Sequence, residues 1–399
     1  MALVYRPIAD CPACGATQSY GNVLISQDVL HRGCTHCKYW TEIGLPPVRK
    51  KVVYLDQSLL SSAFKQGDPR SVQAVNAVSA LASKQLLVTP HSNIHESETY
   101  QWSGYGGRTP AGLMRFIEQA ARGLRFRATY QIEQTQLHKS FLAFLAGAGS
   151  NYNVERRDAL PRHADDWHNY MYVSVGRRLD DKALVGKMKQ QAVAHLVRLF
   201  DQWATSTTSL QQDVAAEIGE AAQTYFSQYA LYMSRLARGD WDALLDAPVA
   251  SQYVERLVAL QPESVDAGEK LKRVAEYLRS SHFANTPITS LTARIFATLK
   301  GMVRAGAFVN RQRAQSELSG IFFDVQHIAT YAPYCDAIFV DNQMASLIAQ
   351  PSVGLALKYG THVFSLNSRD AFVSWLAEVE ATKSPEHASA LERAYGSAP

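Results

Sequence analysis

Lys51-Val52-Val53-Tyr54-Leu55-Asp56 is an apolar run that stops at a single aspartate, and a polar stretch with helical apolar spacing follows it. Such a run reads as a short buried strand. A strand of this kind fixes its backbone and leaves the carboxylate to project from its C-terminal edge, where open α/β sheets bind ligands. Near the other end of the chain, Cys335-Asp336-Ala337-Ile338-Phe339-Val340-Asp341-Asn342 repeats the design. If the two strands are neighbours in one sheet, Asp56 and Asp341 meet at the same edge. The rest of the chain then supplies, flanks or interrupts that pairing.

The length of 399 residues suggests two or three domains. The formal net charge of +4 permits a polyanionic partner without demanding one. No run of apolar residues is long enough for a membrane span, and the N-terminal residues contain no apolar signal region. A cytoplasmic, reducing location is the expectation. The five cysteines agree with it, because four have the spacing of metal ligands and Cys335 is left over.

Residues 1–48 form the first unit. Cys11-Pro12-Ala13-Cys14-Gly15 and Cys34-Thr35-His36-Cys37 are two knuckles, each bringing two sulfurs to one side of a tight turn. Four thiolates make a closed tetrahedral zinc site with no position left for substrate. A redox dithiol would need one such pair, not two. The residues between the knuckles predict a β-hairpin, and the unit resembles a zinc ribbon. Arg32, His36, Lys38, Tyr39 and Trp40 cluster at the second knuckle, either as a nucleic-acid contact or as a solvated rim with one packed aromatic.

After a linker at Pro46-Pro47, helical spacing runs from Ser71 to Lys84 and a second short strand from Leu86 to Thr89. Ser92 then suits an N-cap, with His95, Glu96 and Glu98 in the turns behind it. The two glutamates are either dipole-complementing surface groups or metal ligands, and His95 either supports a carboxylate from behind or is a histidine that is simply packed or exposed. Leu113 to Leu145 reads as helical, with Arg115, Arg122, Arg125 and Arg127 either tracking phosphates or forming a polar face.

Residues 150–285 carry mostly helical signals, at Asp181–Phe200, Leu210–Ala237, Gln252–Leu260 and Val265–Leu278. No phosphate-binding loop, nucleophile elbow or zinc-protease motif occurs there. Asp165, Asp166, His168, Asp180 and Asp181 follow no ligand spacing and read as solvated or capping residues. The segment is expected to be an α-helical insertion serving as a cap, a dimer surface or a partner surface. Leu291–Phe308 and the stretch from Ser319 to Tyr331 predict helices, the second with Asp324 in its first turns. A last strand at His362–Leu366 and a helix at Asp370–Val379 follow, and the tail from Thr382 is polar and expected to be loose.

The acids at strand ends or early in helices are Asp56, Glu96 or Glu98, Asp324, Asp336 and Asp341. Carboxylates converging on one edge repel one another unless cations neutralise them. Oxygen ligands suit magnesium or manganese, and such a site serves phosphoryl displacement, provided the acids converge.

Val53-Tyr54-Leu55-Asp56, the stretch His95 to Thr99, Asp324 with His327-Ile328-Ala329, and Asp336 to Asp341 together resemble a PIN-like domain. The resemblance covers roughly residues 50–145 and 290–380. It implies a parallel α/β sheet flanked by helices; the span between Glu98 and Asp324 is far longer than a simple PIN domain has, so the domain is read as 50–149 and 286–383, split by the α-helical insertion at 150–285 and preceded by the ribbon. It also implies a metal-dependent nuclease, with Asp56, Glu98, Asp324 and Asp341 as the four acids holding magnesium or manganese. Glu98 is preferred because His95-x-x-Glu98-Thr99 is similar to a pattern in some PIN-like families, with Glu96 as the fallback. Asp336 is either a fifth ligand or a cap of its strand. Gln57-Ser58 stands where Thr/Ser-Asn often follows the first aspartate of the family. The expected activity is endonucleolytic, on RNA in preference to DNA, and a toxin or defence role is a further implication of the resemblance. The alternatives are an inactive PIN-like scaffold, binding nucleic acid or protein through the ribbon and insertion, and a phosphatase acting on small phosphoesters.

Overall fold

The computed structural model describes residues 6–167, 192–244, 247–318 and 320–396. Its N-terminal strands are β1 (Arg6–Ala9), β2 (Tyr20–Ser26), β3 (Val29–Cys34) and β4 (Trp40–Gly44), paired antiparallel in that order. The β2–β3 hairpin turns through two residues, with Gln27 at φ 57°. This is the hairpin expected between the two cysteine pairs.

The second sheet is parallel throughout. It uses β5 (Lys51–Leu55), β6 (Leu87–Val88), β7 (Ala337–Phe339) and β8 (His362–Phe364) in the order β6-β5-β7-β8. Val53, Tyr54 and Leu55 stand opposite Ala337, Ile338 and Phe339. Side chains alternate between the faces, so Val52 and Tyr54 enter one core while Val53 and Leu55 enter the other. That two-sided burial is why the strands read as unbroken apolar runs. The chain leaves β5 for β6 on one side and returns with β7 on the other. The order therefore reverses between β5 and β7, and the crevice beyond their carboxyl ends is the switch point of the sheet.

Helices α1 (Gln57–Lys65) and α2 (Pro69–Ser83) follow β5 and bury Leu59, Leu60, Val75 and Val78 against one face. Helix α3 (Asn93–Gln101) begins at Ser92, which caps it with His95 in a reciprocal capping box. The single helix expected over Leu113–Leu145 is two, α4 (Pro110–Ala120) and α5 (Thr129–Leu145). Arg122 at φ 50° and Gly123 at φ 73° end α4 in the left-handed region. The chain then passes beside His91, whose N–H reaches the Leu124 carbonyl at 3.1 Å.

In the expected insertion, α6 (Leu210–Ala237), α7 (Val249–Ala259) and α8 (Ala267–Leu278) pack Tyr253, Val254, Val274 and Tyr277 around Leu137 and Phe141 of α5. Of the helix expected at Asp181–Phe200, residues 192–198 are helical and the earlier part lies outside the described residues, as do His168, Asp180 and Asp181. Asp165 accepts from the Lys50 N–H at 3.0 Å, and the Asp166 carbonyl accepts from the Lys50 ammonium, so both brace the entry to β5.

Helices α9 (Pro287–Arg304) and α10 (Ile321–Tyr331) cover the other face of the sheet. Helix α11 (Asn342–Ile348) follows β7, and α12 (Arg369–Ala381) follows β8. The tail is not loose. It forms α13 (Pro385–Tyr395), which seats Ala390 and Ala394 against Ile25, Leu30 and Leu45 of the N-terminal unit and against Trp167. Asn22 donates to the carbonyls of Arg393 and Ala394 at 2.9 Å each. A face built on alanines presents little hydropathy signal, and for that reason the sequence reads as polar.

Candidate metal and active site

The cysteine knuckles converge. Cys11 and Cys37 Sγ lie 3.6 Å apart and Cys14 and Cys34 Sγ lie 3.8 Å apart. Zinc–sulfur bonds of about 2.3 Å at the tetrahedral angle place sulfurs about 3.8 Å apart, so the four cysteines fit zinc. Amide N–H groups of Ala13, His36 and Tyr39 point at the sulfurs of Cys11, Cys34 and Cys37 at 3.4, 3.2 and 3.4 Å. Gly15 turns the first knuckle at φ 71°, a conformation that costs glycine no steric strain. Four sulfurs close the coordination sphere, which makes the site structural.

The second cluster lies at the switch point. The Asp56 N–H donates to the Phe339 carbonyl at 2.8 Å, continuing the β5–β7 ladder to its end. The Asp56 side chain then caps α1, accepting from the Ser58 N–H at 3.1 Å and from the Ser58 hydroxyl. Past the end of the neighbouring β7, Asp341 caps α11 by accepting from the N–H groups of Gln343 and Met344 at 2.8 and 2.9 Å. Ligand atoms of Asp56, Glu98 and His327 all lie within 4.8 Å of one another. Burial raises the Asp56 pKa above the ordinary carboxylate value, and the charge of Asp341 adds to the rise. Asp341 and Asp324 together line a cavity of about 30 Å³, room for one ion or water. Gly320 leaves space for Asp324, since a Cβ there would stand 2.8 Å from its Oδ2.

Behind these ligands is a buried polar layer. The Tyr54 hydroxyl lies 2.9 Å from His327 Nδ1 and 3.2 Å from Ser92 Oγ, which sets the plane of the His327 ring. Of the two readings of His95, the packed one holds: it does not reach a carboxylate. Its Nδ1 accepts from the Ser92 N–H at 3.0 Å, and its Nε2 donates to the Leu55 carbonyl at 2.8 Å. Burial lowers its pKa from 6.5 to about 4, so the ring is neutral. It locks the last strand residue before Asp56.

Of the sequence candidates, Asp56 and Glu98 belong to this set; Asp324 and Asp341 line the adjoining cavity outside it, and Asp336 and Glu96 are held elsewhere by cations. Asp336 stands just before β7, so it sits at the opposite end of the strand from Asp341. It is held by Lys51 Nζ at 2.9 Å, Arg156 Nη2 at 2.8 Å and the Val52 N–H at 2.8 Å. Its role is anchoring, not ligation. Glu96 is two residues from Glu98, on another face of α3, where Arg125 holds it at 3.0 Å and His91 lies 3.7 Å away. Arg122 donates to the Ser79 carbonyl at 3.2 Å, so Arg122 and Arg125 serve packing rather than a phosphate track.

His327 and Tyr54 were not singled out as site residues. The signal for His327 is its spacing from Asp324, since residues three apart share a helix face. Tyr54 stands two residues before Asp56 on the same strand face, but its contact with His327 depends on the packing of α10 against the sheet.

Searches against protein-family models, curated proteins and solved structures found no match for this chain. Among the described residues, no helix is long and apolar enough to cross a membrane.

Proposed function

We propose that the chain is a PIN-like, metal-dependent endonuclease acting on RNA in preference to DNA. One observation carries the reading: Asp56, Glu98 and His327 offer ligand atoms within 4.8 Å of one another at the switch point of a parallel sheet. The sequence resemblance, which names Asp56, Glu98, Asp324 and Asp341, supports it independently. Two carboxylates and an imidazole fit manganese or magnesium, and the ring nitrogen favours manganese. A divalent cation held there would neutralise charge that develops on a phosphodiester during in-line displacement.

The protein's own part is to keep this set in place. Ser58 holds Asp56, Tyr54 orients His327, and His95 fixes the backbone between them. Gln57 stands where the family often has Thr or Ser, and its amide donates to the Thr99 hydroxyl at 3.0 Å, tying α1 to the helix that bears Glu98. Asp341 and Asp324 extend the negative field into the adjoining cavity. The zinc ribbon and the helical insertion are the surfaces for nucleic-acid or protein partners, and a reducing cytoplasm suits the four thiolates.

Incubation of end-labelled single-stranded RNA and DNA with manganese, magnesium or EDTA tests this. Metal-dependent cutting is expected in the wild type, RNA being the better substrate. It should fall by more than roughly 100-fold in Asp56→Asn, Asp341→Asn and His327→Ala, beyond the usual cost of losing an outer support. Cutting that persists in Asp56→Asn, or that ignores EDTA, would overturn the reading.

A further inference from the structure

Helices α1 and α3 lead away from Asp56 and Glu98 and finish side by side. Lys65, the last residue of α1, has its ammonium 5.4 Å from the ring centre of Trp102, the residue that caps α3. At about 1.5 Å per residue, Lys65 lies about 13 Å along α1 from Asp56. Trp102 is one helical turn beyond Glu98, its N–H donating to the Glu98 carbonyl at 3.2 Å.

From Trp102 the chain makes a tight hairpin. Tyr105 N–H donates to the Arg108 carbonyl at 3.2 Å, and Arg108 N–H donates back to the Tyr105 carbonyl at 2.9 Å. The two residues between them, Gly106 at φ 52° and Gly107 at φ 78°, both require the left-handed region, as the primed two-residue turn does. Gly104 is at φ 87°, and a Cβ there would stand 2.9 Å from the Arg108 carbonyl oxygen. Three glycines thus close a small rigid loop, and what the loop presents is the Tyr105 ring, 61% exposed.

Cations are interleaved with the rings. The Lys65 ammonium is 5.8 Å from the Tyr105 ring centre as well as near Trp102. The Arg108 guanidinium lies 5.3 Å over Phe64, which packs edge-on against Trp102. Among the described residues, neither Lys65 nor Arg108 forms an ion pair with a carboxylate. Arg108 Nη1 is buried and has no hydrogen-bond partner there. An ordinary solvated rim would neither bury an unbonded guanidinium nitrogen nor hold an aromatic ring out on a closed turn.

We infer that Tyr105, flanked by Lys65 and Arg108, is a stacking subsite for one unpaired base of a single-stranded nucleic acid. The exposed ring takes the base face, and the two cations take adjacent phosphates. A paired base inside a duplex offers no such face, so the subsite selects single strands. That the strand continues to the carboxylate cluster rests on the nuclease reading; the subsite itself does not.

Fluorescence anisotropy without added magnesium or manganese, with the full chain and an unstructured RNA of roughly twelve nucleotides, within the span of single-strand sites, measures binding without cutting and spares a zinc held by the four cysteines. Tyr105→Ala should weaken binding by roughly 5- to 100-fold, the range for loss of one stacked base. Tyr105→Phe should bind as the wild type does, because the ring and not the hydroxyl is used. Lys65→Ala should lower the slope of log affinity against log salt by about 0.7. A blunt RNA duplex should bind more weakly and be indifferent to Tyr105. Circular dichroism melting of Tyr105→Ala, unchanged for a surface residue, shows that the fold is kept.

The subsite is overturned if the wild type binds no single strand, if Tyr105→Ala binds as the wild type does, or if Tyr105→Phe is as weak as Tyr105→Ala. Tyr105-dependent binding in a protein that cuts nothing would leave the subsite standing and remove the nuclease. Asp56-dependent cutting with binding indifferent to Tyr105 would do the reverse.

Discussion

Strand β7 has an aspartate near each end, and the two are treated differently. Asp336 at the amino end is enclosed by Lys51, Arg156 and the Val52 N–H. Asp341, just past the carboxyl end, caps α11 and raises the pKa of Asp56, which shares its own cluster with Glu98 and His327. Among the described residues, no lysine or arginine forms an ion pair with Asp56 or Asp341. One end of the sheet therefore uses a carboxylate to fasten β5, β7 and the 150s segment together. The other end gathers carboxylates whose repulsion a bound cation would relieve. The same residue type holds the fold at one end and opposes it at the other.

That contrast can be broken by removing charge from each end in turn. Asp336→Asn should lower stability by about 3 kcal/mol, because it removes the carboxylate of Lys51 and leaves Arg156 only Asp165 at 3.4 Å and the Lys50 carbonyl in a part-buried setting. Asp56→Asn, measured without metal, should leave the urea midpoint unchanged or raise it. The contrast fails if both substitutions destabilise equally.

A second measurement places pH sensitivity at the carboxyl end. His95 has its pKa pushed down from 6.5 to about 4 by burial, so the unfolded chain binds its proton more readily. Stability should fall as pH drops from about 6.5 to about 4, by up to about 3 kcal/mol in total. The opposite sign holds for Asp56, whose raised pKa makes the native state the stronger proton binder above 3.8, so that its contribution declines as pH rises. Urea midpoints across this range should lose the histidine slope in His95→Gln. A slope that survives His95→Gln would assign it elsewhere.

The smallest effect is expected at Lys51. Its side chain is 45% exposed, and Arg156 also holds Asp336. Lys51→Ala should cost less than about 1 kcal/mol. A larger loss in thermal or urea unfolding would mean that the ammonium, not the guanidinium, anchors the amino end.

Much of this was readable in the sequence where the cause is local. The cysteine knuckles reveal themselves by spacing, and β5 and β7 by apolar runs that end in aspartate. Helix α6 was expected at Leu210–Ala237, where it is found. What stayed hidden depends on distant partners. Whether Asp56 and Asp341 share an edge depends on β5 pairing with β7, which no local pattern specifies. His327 joins the cluster through the packing of α10, while Asp336 stands at the other end of β7, where Arg156 arrives from another part of the chain to hold it. The break between α4 and α5 rests on the backbone at Arg122 and Gly123, inside an otherwise continuous helical pattern. Helix α13 hides behind alanines.

The strand order also has a consequence for the growing chain. β5 ends at Leu55, yet its neighbour β7 does not begin until Ala337. During synthesis, β5 has only the two-residue β6 beside it, and its other edge stays open while the whole helical segment is made. An apolar strand left waiting with unpaired amides is a template for the wrong partner. The N-terminal unit also lacks its cover until α13, residues 385–395, has been made. Both sheets are thus finished by the C-terminal portion, so a chain cut short after the helical insertion would be left with an open β5 edge and exposed apolar residues, prone to aggregation rather than partly functional.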